Sequence, residues 1–245
     1  MEGGALLPAT GRVAAISGAG RGLGAAIARR LHAEGFALAL GVRDPGRAAV
    51  QLALPDAPRV TWHRYDAERP ETAATWIAEA VAAHGRLDAL VNNAGILRKV
   101  TFEEGSEDDL DAMWEVNVKG PFRAIKAALP HLRAAGQGRL VNIASTDGKR
   151  IRDPSAPLGY AMTKHALMAL THAARFAGHA DGLRATALCP GAIDTELIAG
   201  LVGATPAAGR LKPETVAEII CLLLRLPNQA NVAELVVNTR LEAML

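Results

Sequence analysis

RVAAISGAGRGLGAAIARRLHAE, residues 12–34, decides the fold. Arg12 to Ser17 is a short apolar run, Gly18-Ala19-Gly20-Arg21-Gly22-Leu23-Gly24 is a glycine turn, and beyond it alanines and leucines recur at helical spacing to Glu34. The order is strand, turn, helix. Glycines there permit a tight turn and a close backbone approach to a pyrophosphate, while the start of the helix offers an anion free N–H groups and partial positive charge. A glycine turn that serves only close helix packing would have the same composition. Its place straight after a strand favours the phosphate reading.

Working outward, Phe36 to Val42 reads as a second buried strand, Arg59 to Tyr65 as a third, Leu87 to Val91 as a fourth, Gly138 to Ala144 as a fifth, Arg184 to Leu188 as a sixth and Glu234 to Asn238 as a last short one. Helical patterns alternate with them: Pro70 to Gly85, Ser106 to Gly136 with Ser106 as N-cap, Tyr160 to about Gly178, and Pro213 to Leu226. Asn117 stands in the middle of the second of these helices, and Pro121 is expected to bend it. Strands and helices alternating at this interval predict one α/β domain over 1–245, a doubly wound, Rossmann-like parallel sheet of about seven strands with helices on both faces. Ligands then sit at the carboxyl ends of the strands. Val42 and Arg43 stand at the second strand's end, where an acid would accept from a ribose 2′-OH and an arginine would accommodate a 2′-phosphate. Arg43, with Arg21 in the glycine turn, points to NADP, NAD remaining possible because Asp44 is one residue on. The alternative for Arg43 is a solvated turn residue in Arg-Asp-Pro-Gly.

Composition narrows the function. With 245 residues, half of them hydrophobic, the chain is long enough for a sizeable core. Lys plus Arg total 27 against 25 for Asp plus Glu, a net charge of +2, which gives no electrostatic reason to expect nucleic acid or an anionic membrane. No segment reaches the apolar length of a bilayer span and Met1 to Gly11 carries no targeting pattern, so a soluble cytoplasmic protein is expected. Cys189 and Cys221 read as reduced, buried thiols, and seven scattered histidines form no metal-binding pattern.

Tyr160-Ala161-Met162-Thr163-Lys164 places a phenol and an ammonium one helical turn apart on one face. A positive charge beside a tyrosine favours the phenolate, so Lys164 is expected to lower the Tyr160 pKa towards the range a general acid/base needs. Alone, the pattern is more often an ordinary helix face. The motifs around it change that.

Taken in order, these motifs resemble the short-chain dehydrogenase/reductase family, from about Arg12 to the region near Asn238. Gly18, Gly22 and Gly24 match its Thr-Gly-x-x-x-Gly-x-Gly turn, with Ser17 for the threonine. Asp66 matches an aspartate near the adenine, and Asn92-Asn93-Ala94-Gly95 matches the Asn-Asn-Ala-Gly signature. Asn117, Ser145, Tyr160 and Lys164 match the catalytic tetrad, and Pro190, Gly191 and Thr195 match the Pro-Gly-x-x-x-Thr segment on the nicotinamide side. The resemblance implies hydride exchange between a nicotinamide and a carbonyl or alcohol carbon of a small substrate. In it Tyr160 moves the proton, Ser145 holds the oxygen, Lys164 grips the ribose and Asn117 holds the bent helix and a water. It further implies cofactor contacts from Gly20, Arg21, Leu23, Arg43, Asn93, Ala94, Gly95 and Ile193 beside the motif residues. A homodimer or homotetramer is implied through the outer faces of helices Asp109 to Ala135 and Tyr160 to Gly178.

Three departures accompany the match. Fifteen residues separate Ser145 from Tyr160, two more than expected, so Thr146 to Gly159 should bulge beside the pocket. The segment Glu196 to Arg210 is short and poor in aromatics, which predicts an open pocket, and the C-terminal Val236 to Arg240 lacks Asp-Gly-Gly. Lys149, Arg150 and Arg152, with Arg98 and Lys99, could attract an anionic substrate or be solvated loop charges, and the second is favoured. Two other functions compete with the NADP-dependent reductase. One is an NAD-dependent alcohol dehydrogenase of the same family; the other is a non-catalytic nucleotide-binding sensor or scaffold, which an intact Ser145, Tyr160 and Lys164 disfavour.

Overall fold

The computed structural model describes residues 4–54, 57–151, 156–198 and 205–239. Seven strands, β1 (Val13–Ser17), β2 (Ala37–Val42), β3 (Val60–Arg64), β4 (Ala89–Asn92), β5 (Arg139–Ile143), β6 (Arg184–Pro190) and β7 (Glu234–Val237), form one sheet in the order β3-β2-β1-β4-β5-β6-β7. Every pairing is parallel, as the sequence predicts for strands joined by helices. The chain starts at β1, winds outward to β3, then returns to β4 and winds the other way, which opens a crevice between β1 and β4 at the carboxyl ends.

The central strands β1, β4 and β5 are buried on both faces, because side chains alternate between two cores, while the edge strand β7 is half-buried. Ala14 and Ile16 of β1 join Leu38 and Leu40 of β2 under helices α1 (Gly22–Glu34) and α7 (Pro213–Arg225). Val13 and Ala15 join Ala39 and Leu90 under α3 (Pro70–His84), α5 (Gly120–Ala134) and α6 (Leu158–Gly178). Helix ends follow local chemistry. Gly35 at φ 113° ends α1, Ser106 Oγ accepts from Asp109 N at 3.1 Å to start α4 (Glu107–Trp114), and Pro70 opens α3.

Two features differ from the sequence reading. Arg-Asp-Pro-Gly is the start of a short helix, α2 (Pro45–Leu52), with the Asp44 carboxylate as its N-cap, accepting from Arg47 N at 3.1 Å. The bend expected at Pro121 lies one turn earlier: a π turn, Glu115–Lys119, joins α4 to α5 and has Asn117 at its centre. Pro121 follows directly on this π turn within a continuous helix, so the ladder bond its missing N–H would break falls where the helix is already widened.

Candidate active site

The glycine turn joins β1 to α1. Gly18 and Gly22 take φ of +66° and +51°, a region costly to other residues, and a Cβ on Gly24 would lie 2.6 Å from Asn93 Nδ2, so this corner is closed to side chains. The Ser17 hydroxyl accepts from Asn93 N and Ala94 N, both at 3.0 Å, and Asn93 Nδ2 donates to Ser17 O at 3.0 Å and Gly18 O at 3.2 Å. The sequence reading saw Ser17 only as a replacement for threonine. Its hydroxyl in fact sews the β4 loop to the glycine turn. No side chain caps α1 and its first turn holds no acid, so these N–H groups remain available to an anion.

Around this turn stand the other residues assigned from sequence. Arg21 and Arg43 are both exposed, Arg43 directly after β2, and Leu23 is buried under the turn. A Cβ on Gly20 would touch Val42 and Ala48, so the turn lies against the end of β2. Asp66 follows β3, bonding Glu68 N at 3.2 Å. Pro190 ends β6 and Gly191 lies against Asn238 with no room for a Cβ. Ile193 bridges to Leu211, and Thr195 packs over the glycine turn, its Cγ2 3.3 Å from a Cβ placed on Gly22.

Asn117, Ser145, Tyr160 and Lys164 come together at the ends of β4 and β5, all buried. A π turn is a frequent functional device because it redirects one side chain within a helix. Here it aims Asn117, whose Oδ1 accepts from Ile96 N and whose Nδ2 donates to Ile96 O, each at 2.9 Å, and to Thr163 Oγ1 at 3.1 Å. The amide is thus spent on the loop after β4 and on α6, and what it holds directly is these two segments. Gly95 lies beside it, a Cβ there being 3.3 Å from Asn117 Oδ1 and 3.8 Å from Lys164 Nζ. Lys164 Nζ donates to Ile143 O at 2.7 Å and sits 5.4 Å from the centre of the Tyr160 ring. Ser145 Oγ accepts from Asp147 N at 3.1 Å and acts on the Tyr160 phenol, favouring its ionised form.

Electrostatics here run against one expectation. The Tyr160 pKa is raised above its ordinary value, first by burial and then by the Asp147 carboxylate, with the Ser145 hydrogen bond opposing. Lys164 is itself pushed down to about 8 by burial, with Cys189 and Asp147 resisting the fall. Burial therefore dominates, Lys164 is not among the causes that act on the phenol, and the phenol is held neutral. Asp147 and Thr163 escaped the sequence reading. Thr163 carried a usable signal, since it falls three residues after Tyr160 on the same helix face.

Most of the loop cations have local partners. Arg98 pairs with Asp109 at 2.5 Å, Lys99 with Glu104 at 2.7 Å, and Lys149 with Glu234, which also holds His172 at 2.7 Å. These three are paired rather than simply solvated, and Arg152 lies outside the described residues. So does the rest of 152–155 in the expected bulge and 199–204 in the short segment after Thr195. Cys189 and Cys221 are buried and free, and burial pushes the Cys189 thiol up to about 11. Among the described residues no group of His, Cys, Asp and Glu could hold a metal, and no helix is long and apolar enough to cross a membrane.

A family model described as short chain dehydrogenase matches residues 12–203. The chain is 39% identical over 222 residues to cis-4-hydroxycyclohexanecarboxylate dehydrogenase of Sinomonas cyclohexanicum, covering 86% of this chain and 88% of that protein. It is 36% identical over 223 residues to agropine synthesis reductase of Rhizobium rhizogenes, covering 89% of this chain but about half the length of that relative, 50%. An alcohol dehydrogenase of the archaeon Thermococcus sibiricus, solved with 5-hydroxy-NADP, superposes with a TM-score of 0.84 at 34% identity, covering 94% of this chain and 99% of that one. With its ordered motifs gathered at one end of a seven-stranded parallel sheet, the chain belongs to the short-chain dehydrogenase/reductase family.

Proposed function

We propose that the protein is an oxidoreductase that exchanges a hydride between NADP(H) and the carbonyl or alcohol carbon of a small soluble substrate. The observation that carries this reading is the buried cluster of Asn117, Ser145, Tyr160 and Lys164 at the strand ends, in which the Lys164 ammonium lies 5.4 Å from the phenol ring. When bound, the nicotinamide supplies or accepts the hydride. Tyr160, held neutral, gives its proton to the substrate oxygen in the reductive direction. Ser145 stabilises the charge that grows on that oxygen, and its hydroxyl is oriented by the N–H of Asp147. Lys164 would hold the ribose hydroxyls and carry positive charge beside the reacting oxygen. The names of two relatives, dehydrogenases of a hydroxycyclohexane acid and of an alcohol, support an alcohol or carbonyl carbon as the reacting centre.

The glycine turn and the uncapped start of α1 would hold the pyrophosphate, Asp66 and Asn93 to Gly95 the adenine side, and Pro190, Gly191, Ile193 and Thr195 the nicotinamide side. NADP is favoured over NAD because β2 ends at Val42, Arg43 follows it exposed, and the nearest acid, Asp44, is occupied as the cap of α2. A gluconate 5-dehydrogenase of Burkholderia cenocepacia solved with NADP, TM-score 0.83 at 29% identity over 94% of both chains, supports the same choice. A 3-ketoacyl-(acyl-carrier-protein) reductase of Brucella melitensis solved with NADH, TM-score 0.84 at 27% identity over 94% of this chain and 98% of that one, keeps the choice open to experiment. Self-association in the cytoplasm through α5 and α6 belongs to this reading, and their exposed Phe122 and Phe176 support it.

The test is the affinity for NADPH and NADH, read by tryptophan fluorescence, followed by turnover of a panel of ketones and aldehydes. NADPH should bind more tightly, and Arg43→Ala should weaken it by about tenfold while leaving NADH unchanged. Equal affinities that ignore Arg43 would overturn the cofactor assignment. Tight binding without turnover of any carbonyl compound would overturn the oxidoreductase.

A further inference from the structure

Asn92, the last residue of β4, faces Asn142, the last but one of β5. Asn92 and Asn142 are partners in the parallel ladder and are 2% and 0% exposed, with apolar Val91, Val141 and Ile143 beside them on their strands. Buried amides are costly unless bonded, so where these two spend their bonds matters. Asn92 Nδ2 donates to Asn142 Oδ1 at 2.8 Å, and Asn142 Nδ2 donates to Thr171 Oγ1 at 2.8 Å. The Thr171 hydroxyl in turn donates to Leu167 O at 2.7 Å. Thr171 is fully buried on α6, two helical turns beyond Lys164 and on the same face.

This chain of amides leads from the sheet to the helix that bears Tyr160 and Lys164. Ile143, next to Asn142, supplies the carbonyl that holds Lys164 Nζ, and Ser145 follows two residues later. Strand β5 therefore grips α6 at two heights, through Ile143 at Lys164 and through Asn142 at Thr171. Asn117 grips it a third time at Thr163. An apolar side chain would fill the Thr171 position without such bonds, and a hydroxyl bonded back to the preceding turn favours neither helix stability nor straightness. Its use here is directional, because hydrogen bonds fix a helix along and about its axis where apolar contacts tolerate sliding. We propose that Asn142 and Thr171, joined to Asn92, are positioning residues that set the height of α6 on the sheet and so the reach of Tyr160 and Lys164 to Ser145.

The kinetic part of the test rests on the oxidoreductase reading; the spectroscopic part does not. Thr171→Val keeps the shape and removes the hydroxyl, and Thr171→Ser keeps the hydroxyl. Carbonyl turnover is measured for each, and Lys164 ionisation is followed by NMR of protein labelled with 13C at lysine Cε, its signal assigned by its loss in Lys164→Met. In the wild type Lys164 titrates at about 8. Thr171→Val is expected to lower kcat by roughly tenfold with KM changed by less than about twofold, and to move the Lys164 titration up towards the ordinary lysine value as water reaches Nζ. Thr171→Ser should restore both. A Thr171→Val protein with wild-type kcat and wild-type Lys164 titration would overturn the proposal, whatever its Tm. Thr171→Ala replaces it if the valine protein does not fold. If the wild type turns over no carbonyl compound, the oxidoreductase reading fails and the Lys164 titration alone decides this one.

Discussion

The two ends of the sheet both bury positive charge and treat it in opposite ways. At the amino ends of the strands, Arg12 and Arg139 are 6% and 2% exposed. Arg12 donates to Leu224 O at 2.7 Å and lies 4.0 Å from Asp88, while Arg139 donates to Leu226 O at 2.6 Å, Gly138 O at 2.7 Å and Asn228 Oδ1 at 3.0 Å. At the carboxyl ends, Lys164 has one carbonyl, Ile143 O, and a neutral phenol for company. Burial pushes Arg139 down only to about 10, helped by Arg12 and Arg184, so it stays charged at neutral pH. The same cause brings Lys164 to about 8, where the charge can be lost. A guanidinium with many carbonyl partners is a fixed fastening for chain ends; an ammonium with few partners, beside a tyrosine, is a group whose proton can move.

The sharpest way to break this contrast is Tyr160→Phe. Removing the phenol's proton should cut turnover by about a thousandfold and leave cofactor affinity unchanged, measured by steady-state kinetics and fluorescence titration. Near-normal turnover in that variant would end the assignment of the carboxyl end as the reacting one. Arg139→Ala addresses the other end. It strips partners from the buried carbonyls of Leu226 and Gly138 and should destabilise the fold by about 3 kcal/mol, a drop in Tm of roughly 6–12 °C, with kcat per folded molecule unchanged. A fall in kcat without a fall in Tm would show that the amino end is not merely a fastening.

The smallest effect sharpens the comparison through pH. Burial lowers the Lys164 pKa, so its charge is present below about pH 8 and is lost as pH rises through that value. Reductive kcat/KM should therefore hold between about pH 6 and 7 and decline above about 8, several-fold by about pH 9.5. A profile flat to about pH 10 would mean that the lysine is no more perturbed than one in water.

Much of this was legible without coordinates. The seven strands, the glycine turn and the α6 boundary at Gly178 could be read because each depends on local pattern: apolar runs, helical spacing and glycine punctuation; Asn117, Ser145, Tyr160 and Lys164 were singled out by resemblance to a family's motif order. The pieces that were not legible depend on what lies across space. That the Asp44 carboxylate caps a helix, accepting from Arg47 N, could not be seen until α2 forms. Pro121 looks like the bend until Asn117 finds Ile96 and Thr163, and Lys149 looks like a solvated loop charge until β7 brings Glu234 to it.

Sequence alone determined the order of the elements, the two-sided burial of the strands and the identity of the residues at their carboxyl ends, because period and chain order are properties of the chain itself. Tertiary structure decided how those residues behave. That Lys164 titrates near 8 and Tyr160 above its ordinary range follows from how much water the packed helices exclude. That Asn142 reaches Thr171 follows from the height at which α6 crosses β5. Desolvation and hydrogen-bond direction act between segments far apart in the chain, and only the folded sheet sets those distances.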